Sequence, residues 1–250
     1  MASAKRIVII GATSAIAEHC ARLWAAGNTV DLTLVGRDAR RIERVAADLK
    51  VRSPQSNICV VQAQFLDPAA IQAAVAGVTA QGAVDIVLIA HGSLPDQADC
   101  QGNLQACREA LDINGVSPVL YAEAFAKDMA QANRGTLALI GSVAGDRGRK
   151  SNYIYGAAKG LMNRYAQGLQ HRFAGTGVKV VLVKPGPTDT PMTASLKEAG
   201  ANLASVDIVA ETIVDAIERG KAVVYVPGRW RLIMMIIRHL PAFLFNRLNI

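Results

Sequence analysis

The 250-residue sequence predicts a single-domain α/β fold: a doubly wound, seven-stranded parallel sheet followed by a C-terminal amphipathic tail. Three observations support this. Hydrophobic residues make up 51% of the chain, enough to bury a large core, and α/β chains of this length often form one domain. Apolar runs alternate with helix-period stretches from end to end, which implies strands joined by helical crossovers. Most of the runs are continuous, as in Val84-Asp85-Ile86-Val87-Leu88-Ile89, and suit strands covered on both faces.

The first strand is expected over 5–11, where Ile7-Val8-Ile9-Ile10 follows the polar start Met1 to Arg6. It runs into Gly11-Ala12-Thr13-Ser14-Ala15-Ile16-Ala17, and a helical pattern occupies 14–26. A strand, a small-residue turn and a helix open either an ordinary βα unit or a dinucleotide-binding one. In the latter, small residues admit the pyrophosphate and the helix N-terminus attracts it. Further strands are expected near 29–35, 57–62, 84–90, 135–141, 177–183 and 222–226. Helices are expected near 38–52, 68–81, 100–112, 115–132, 152–174 and 205–219. Gly11, Ala90, Ser142 and Gly186 then all fall at carboxyl ends of strands, where such sheets bind ligands.

The second strand ends Leu34-Val35-Gly36-Arg37-Asp38. An acidic residue at its tip would suit the ribose hydroxyls of NAD. Arg37, helped by Ser14 and Arg40 or Arg41, suits a 2′-phosphate, so NADP (NADPH) is favoured over NAD. Asp38 reads as an N-cap, as does Asp67 ahead of the helix that starts at Pro68.

Tyr155 and Lys159 are four apart and share a helix face, and Ser142 lies thirteen residues before the tyrosine. A hydroxyl, a phenol and an ammonium at one strand end can manage the proton of a substrate oxygen. A phenol titrates near ~10, and a neighbouring cation is expected to lower that value. Tyr153 has Ala157 four residues later and lacks such a partner.

With these residues in place, the chain resembles the short-chain dehydrogenase/reductase family along nearly its whole length. That family carries a Thr-Gly-x-x-x-Gly-x-Gly turn, a helix-borne Asn, a Ser, a Tyr-x-x-x-Lys pair and a late Pro-Gly. The matching positions are Ile10 to Ala17, Asn114, Ser142, Tyr155 with Lys159, and Pro185-Gly186. The resemblance implies a Rossmann-like fold and hydride transfer between a nicotinamide and a carbonyl or alcohol. It implies a proton from Tyr155, a hydrogen bond from Ser142, a ribose contact and a lowered Tyr155 pKa from Lys159, and a water anchored by Asn114. It also places cofactor contacts at Gly11, Thr13, Ser14, Ala15, Ile16, Asp67, Ala90, Gly92, Tyr155, Lys159, Pro185, Gly186, Thr188 and Thr190. Departures from the pattern are Ala15 and Ala17 in place of glycines, and Ile89-Ala90-His91-Gly92 where the family has Asn-Asn-Ala-Gly. His91 is then either an acid/base group or, as favoured, part of the cofactor wall. The altered turn keeps open a catalytically silent dinucleotide-binding sensor or a membrane-attached partner protein.

Cys20, Cys59, Cys100 and Cys107 form no Cys-x-x-Cys pair. A metal site or disulfide framework is therefore not expected, and a reducing cytoplasm fits. The short first apolar run is not a signal sequence. No acidic residue follows Glu218, while Arg219, Lys221, Arg229, Arg231, Arg238 and Arg247 supply six of the net charge of +7. The charge is thus local to the tail and is no nucleic-acid footprint. The division expected is 1–228 for the dinucleotide-binding and catalytic domain and 229–250 for a basic hydrophobic tail. The run Leu232 to Ile237 is too short to span a bilayer. The tail therefore either lies at the inner membrane face or packs on another subunit of a homo-oligomer. Arg147, Arg149 and Lys150 either hold a substrate phosphate or are solvated. Pro187 to Ser205 reads as a mobile lid. A looser similarity, resting on the tail and altered motifs, is to reductases of a polyprenyl-phosphate-linked 2-keto-pentose (the decaprenylphosphoryl-2-keto-ribose reductase subgroup). It implies a lipid-linked carbonyl substrate.

Overall fold

The computed structural model describes residues 4–248. The first three residues of the polar start and the last two of segment 229–250 lie outside the described residues. The strands are β1 (Lys5–Ile10), β2 (Val30–Gly36), β3 (Asn57–Gln62), β4 (Ile86–Ile89), β5 (Gly135–Ile140), β6 (Val178–Pro185) and β7 (Val223–Val226). They form one all-parallel sheet in the order β3-β2-β1-β4-β5-β6-β7. The chain winds outward from β1 to β3, then returns to lay β4 beside β1. Strand order reverses there, and the crevice beyond the carboxyl ends opens at that point.

Side-chain alternation along each strand feeds two cores. Ile7 and Ile9 of β1 face α1 (Ala15–Gly27), α2 (Ala39–Arg52) and, through Val209 and Ile213, α9 (Val206–Glu218). Val8 and Ile10 face α3 (Pro68–Thr79), α6 (Ser117–Ala132) and α7 (Tyr153–Arg172), where Tyr121, Phe125 and Met162 are buried. Each fully buried Ile or Leu contributes about 1.5–3 kcal/mol by leaving water, so the β1 pattern alone fixes which face each residue takes.

Two stretches depart from the expected helices. The helix expected over 100–112 is two helices, α4 (Gln97–Gly102) and α5 (Leu104–Leu111). Asn103 divides them because its Oδ1 accepts from the amides of Gln105 (2.9 Å) and Ala106 (3.3 Å), capping the second. The chain then passes through a π turn, Asp112–Val116, directly into α6. Within the expected lid, a 3₁₀ turn at Pro191–Thr193 leads into the short helix α8 (Ala194–Glu198). A bridge from Thr188 to Ala204 closes the base of that segment. The tail forms two helices, α10 (Arg229–His239) and α11 (Ala242–Phe245). Met234 of α10 is 1% exposed, and a Cβ on Gly186 would overlap the Trp230 indole, so α10 is docked on the end of β6.

Candidate active site

The carboxyl ends of β4, β5 and β6 and the first turns of α7 enclose a cavity of about 150 Å³. Asn114, Ser142, Tyr155 and Lys159 all line it, together with Ser14, Ile16, Ala90, Gly92, Pro185, Gly186, Thr188 and Thr190. Ser142 caps the 3₁₀ turn Val143–Asp146, accepting from the Ala144 amide at 3.1 Å. That cap holds its hydroxyl at the tip of β5, within hydrogen-bonding reach of the Tyr155 phenol. Lys159, one turn along α7 and 3% exposed, donates to the Ile140 carbonyl at 3.1 Å. Its Nζ lies 5.8 Å from the Tyr155 ring centroid.

Asn114 reaches the same cavity from the π turn Asp112–Val116. Its Nδ2 donates to the Ala110 carbonyl (2.9 Å) and its Oδ1 accepts from the Ser93 amide (2.8 Å), fastening α5 to the segment after β4. Such π turns recur at functional sites. Asn114 Oδ1 and Lys159 Nζ both face Gly92, at 2.8 and 3.7 Å from where a Cβ would stand. A side chain at this position would press on the Asn114 amide oxygen.

The electrostatics correct one expectation. Burial pushes the Tyr155 phenol up from its ordinary value, and the hydrogen bond with Ser142 opposes this in part. The anticipated lowering by Lys159 is absent, because burial drives the ammonium itself down to about 8. At neutral pH the phenol therefore holds its proton and is poised to give it away.

The other cofactor candidates stand along the same sheet edge, and of these Ser14, Ile16 and Ala90 also line the cavity. Gly11 adopts φ +83°, and a Cβ there would come within 2.6 Å of His91, so this position needs glycine. The Gly11 amide donates to the Val35 carbonyl (2.8 Å) and the Ala90 amide to the Ile10 carbonyl (2.8 Å), which sets the tips of β2, β1 and β4 side by side. Thr13 and Ser14 form the turn into α1, whose first residues are Ala15 and Ile16, and the Ser14 side chain does not cap that helix. Its hydroxyl and the free first-turn amides suit a phosphate. Ala17 is fully buried in the strand–helix contact. Arg37 is exposed at the tip of β2, its guanidinium 5.9 Å from the Phe65 ring centroid. Asp38 and Asp67 cap α2 and α3; Asp67 accepts from Ala69 and Ala70, both at 3.2 Å.

His91 is buried, with Nε2 on the Ser117 hydroxyl (2.9 Å) and its ring 4.5 Å from that of Phe65. Burial first, then Lys159 and Arg37, push it down to about 3. It is neutral at physiological pH and serves as wall.

A buried cluster behind the site had no counterpart in the sequence reading. Asp146 accepts from Lys184 Nζ (2.6 Å), the Tyr225 hydroxyl (2.6 Å) and Asn163 Nδ2 (3.2 Å). A lysine within the apolar β6 run was the available signal, but its partner lies 38 residues away in sequence. Next to Asp146, Arg147 turns toward the tail. Its Nη1 donates to the carbonyls of Ile237 and Leu240, both at 2.6 Å, and its guanidinium stacks 3.8 Å from the Phe245 ring centroid. An arginine at these carbonyls completes the end of α10.

Comparison with known proteins agrees with this geometry. Residues 5–201 match the family model described as short chain dehydrogenase. An uncharacterized oxidoreductase of Streptomyces coelicolor is 34% identical over 246 residues, covering 98% of this chain and 96% of that one. An uncharacterized oxidoreductase of Mycobacterium tuberculosis is 32% identical over 245 residues, covering 97% and 96%. Among solved structures, a short-chain dehydrogenase from Sphingobium yanoikuyae in complex with NADPH superposes with a TM-score of 0.81 at 25% identity, covering 98% of this chain and 96% of that one. One from Burkholderia cenocepacia in complex with NADP gives 0.83 at 17% identity, covering 99% and 98%. The fold and the strand-end cleft define a nicotinamide-dinucleotide oxidoreductase. The chain belongs to the short-chain dehydrogenase family.

Proposed function

We propose that this protein is an NADPH-dependent carbonyl reductase whose proton donor is Tyr155, working with Ser142, Lys159 and Asn114. The observation that carries this reading is the convergence of all four side chains on one cavity between β4, β5 and β6. The nicotinamide cofactor, when bound, supplies or accepts the hydride. Ser142 donates to the substrate oxygen and fixes it beside the phenol. Tyr155 gives its proton to that oxygen as it becomes an alkoxide. Lys159 holds the ribose hydroxyls, and Asn114 orders a water that returns a proton to the lysine. Gly11, the Thr13–Ile16 segment and Ser14 take the pyrophosphate, Arg37 the 2′-phosphate, Asp67 the adenine side, and Pro185 to Thr190 the carboxamide.

Two finer proposals concern setting and substrate. Leu232 (60% exposed), Met235 (53%), Ile236 (55%) and Phe243 (66%) form an apolar surface on α10 and α11, interspersed with Arg231, Arg238 and Arg247. That combination suits peripheral contact with an anionic bilayer at the inner membrane face. No helix among the described residues is long and apolar enough to cross a membrane. A tail docked on Gly186 brings such a surface close to the site, which favours a lipid-linked carbonyl such as a polyprenyl-phosphate-linked keto-pentose. The exposed Leu104 (84%), Val116 (40%) and Leu161 (44%) on α5, the π turn and α7 suit a homo-oligomer contact.

The test is a fluorescence titration with NADPH and NADH, followed by turnover on keto-sugars linked to polyprenyl phosphate and on simple ketones. Oxidation of NADPH by a carbonyl supports the reading. Tight dinucleotide binding with no oxidation on any carbonyl would assign a silent sensor instead.

A further inference from the structure

The loop between β5 and α7 carries three cations, and the structure gives them different fates. Arg147 is consumed by the tail carbonyls and Phe245. Lys150 is exposed. Arg149 lines the cavity that holds Ser142 and Tyr155. Among the described residues no carboxylate lies within ion-pair distance of it, and its Nε is buried without a hydrogen-bond partner. Burial of this guanidinium disfavours its charge. An arginine in that position costs stability unless something else compensates it.

Its surroundings say what is missing. The cavity lining includes two cations, Arg149 and Lys159, and neither an aspartate nor a glutamate. Asp146, the nearest acidic residue in sequence, is fully engaged with Lys184, Tyr225 and Asn163. Beside Arg149 in the lining, Asn152 Oδ1 is also buried and unpartnered. Gln97 Nε2 is a third such atom; its Oε1 accepts from the Ile154 amide at 3.1 Å, at the same end of α7. One unpartnered donor, Arg149 Nε, and one unpartnered acceptor, Asn152 Oδ1, thus belong to the cavity lining just ahead of α7. Lys159 has the Ile140 carbonyl as a partner, whereas Arg149 Nε has none.

We propose that Arg149 forms a subsite for an oxyanion, phosphate or carboxylate, carried by the carbonyl substrate, with Asn152 Oδ1 accepting from a neighbouring substrate hydroxyl. A guanidinium fork binds either oxyanion through two parallel hydrogen bonds, and its strength rises in a cavity that excludes water. The subsite makes this enzyme selective for charged, hydroxylated carbonyl compounds over neutral ketones. This rests on the reductase reading, because it takes Tyr155 as the group that meets the carbonyl.

The experiment compares the parent with Arg149→Gln and Arg149→Lys on two pairs of carbonyl compounds with NADPH saturating: dihydroxyacetone phosphate against dihydroxyacetone, and pyruvate against acetone. The expected result is a kcat/KM for the charged member that falls about 10- to 100-fold in Arg149→Gln, recovers in part in Arg149→Lys, and is unchanged for the neutral member. Loss confined to the first pair assigns a phosphate, and loss confined to the second a carboxylate. Equal losses on charged and neutral compounds overturn the subsite. A calorimetric titration with methyl phosphate and acetate, run with and without NADPH, keeps the two readings apart. Anion binding that weakens at least tenfold in Arg149→Gln supports the subsite even where no carbonyl is turned over. A parent that binds neither anion overturns it even where neutral ketones are reduced.

Discussion

Tyr155 and Lys159 face each other in a cavity that taxes charge on both, and the two respond in opposite directions. The phenol is pushed up and keeps its proton; the ammonium is pushed down to about 8. Reduction needs the proton on Tyr155, so Tyr155→Phe should lower kcat by about 10²–10⁴ while NADPH affinity in a fluorescence titration stays unchanged. For Lys159 the folded value, about 8, lies below the usual 10.5. Below the folded value the native chain holds a costly buried cation. Between the two values the unfolded chain binds the extra proton, so stability rises with pH across that window. The difference of 2.5 (10.5 minus 8) corresponds to roughly 3 kcal/mol. Lys159→Met should therefore melt several degrees higher than the parent at neutral pH without cofactor, lose activity, and lose its thermal advantage in alkaline buffer. A lower melting temperature at neutral pH would contradict this. At the tip of β2, Arg37→Asp should weaken NADPH binding at least tenfold and leave NADH binding nearly unchanged. Equal effects on both nucleotides would show that Arg37 does not meet a 2′-phosphate.

Between residue and fold stand the elements that aim these groups, and they differ in how far the sequence reveals them. The seven strands are legible because each reads as an apolar run, and β1, β2, β4, β5 and β6 are also covered on both faces. Ser142 and Gly186 could be placed at strand ends for that reason. The break between α4 and α5 is not legible, because nothing in the hydrophobic pattern distinguishes an Asn103 that caps from one that is solvated. The π turn escapes notice likewise: Asn114 can be matched by its place in a motif, but its hold on Ala110 and Ser93 exists only after folding. Arg147, Arg149 and Lys150 look alike in sequence and are separated only by what surrounds them. The tail could be read as apolar and basic, yet its docking depends on Trp230 meeting a residue without a side chain. The Asp146 cluster ties these pieces together, since it joins the turn after Ser142 to β6, β7 and α7. With side-chain exposures of 2% and 6%, Asp146 and Lys184 form a buried pair. Lys184→Met strands the carboxylate and should cost about 3–5 kcal/mol in urea unfolding. Replacing both members with apolar residues should recover most of that loss. A single variant as stable as the parent would mean that the pair does not brace the site.

At the scale of the whole molecule, the sheet brings the tips of β1, β4, β5 and β6 into one cleft and the tail lays an apolar, basic surface near its rim. If that surface meets a bilayer, the protein should co-sediment with phosphatidylglycerol vesicles and not with phosphatidylcholine vesicles, and high salt should release it. Changing Leu232, Ile236 and Phe243 together to serine should abolish the association without altering turnover of a water-soluble ketone. Unchanged partitioning of that variant would turn the surface into a subunit contact. Beneath these proposals lies the claim that one protonated phenol, held by Ser142 and backed by Lys159, serves the carbonyl oxygen. It is tested most directly by mixing the NADPH-loaded protein with a reducible carbonyl compound and following nicotinamide absorbance through a single turnover, in the parent and in Tyr155→Phe. The account predicts that both bind the dinucleotide equally and that the variant's hydride step is slower by at least about 10². A hydride step of equal rate in the two would contradict it.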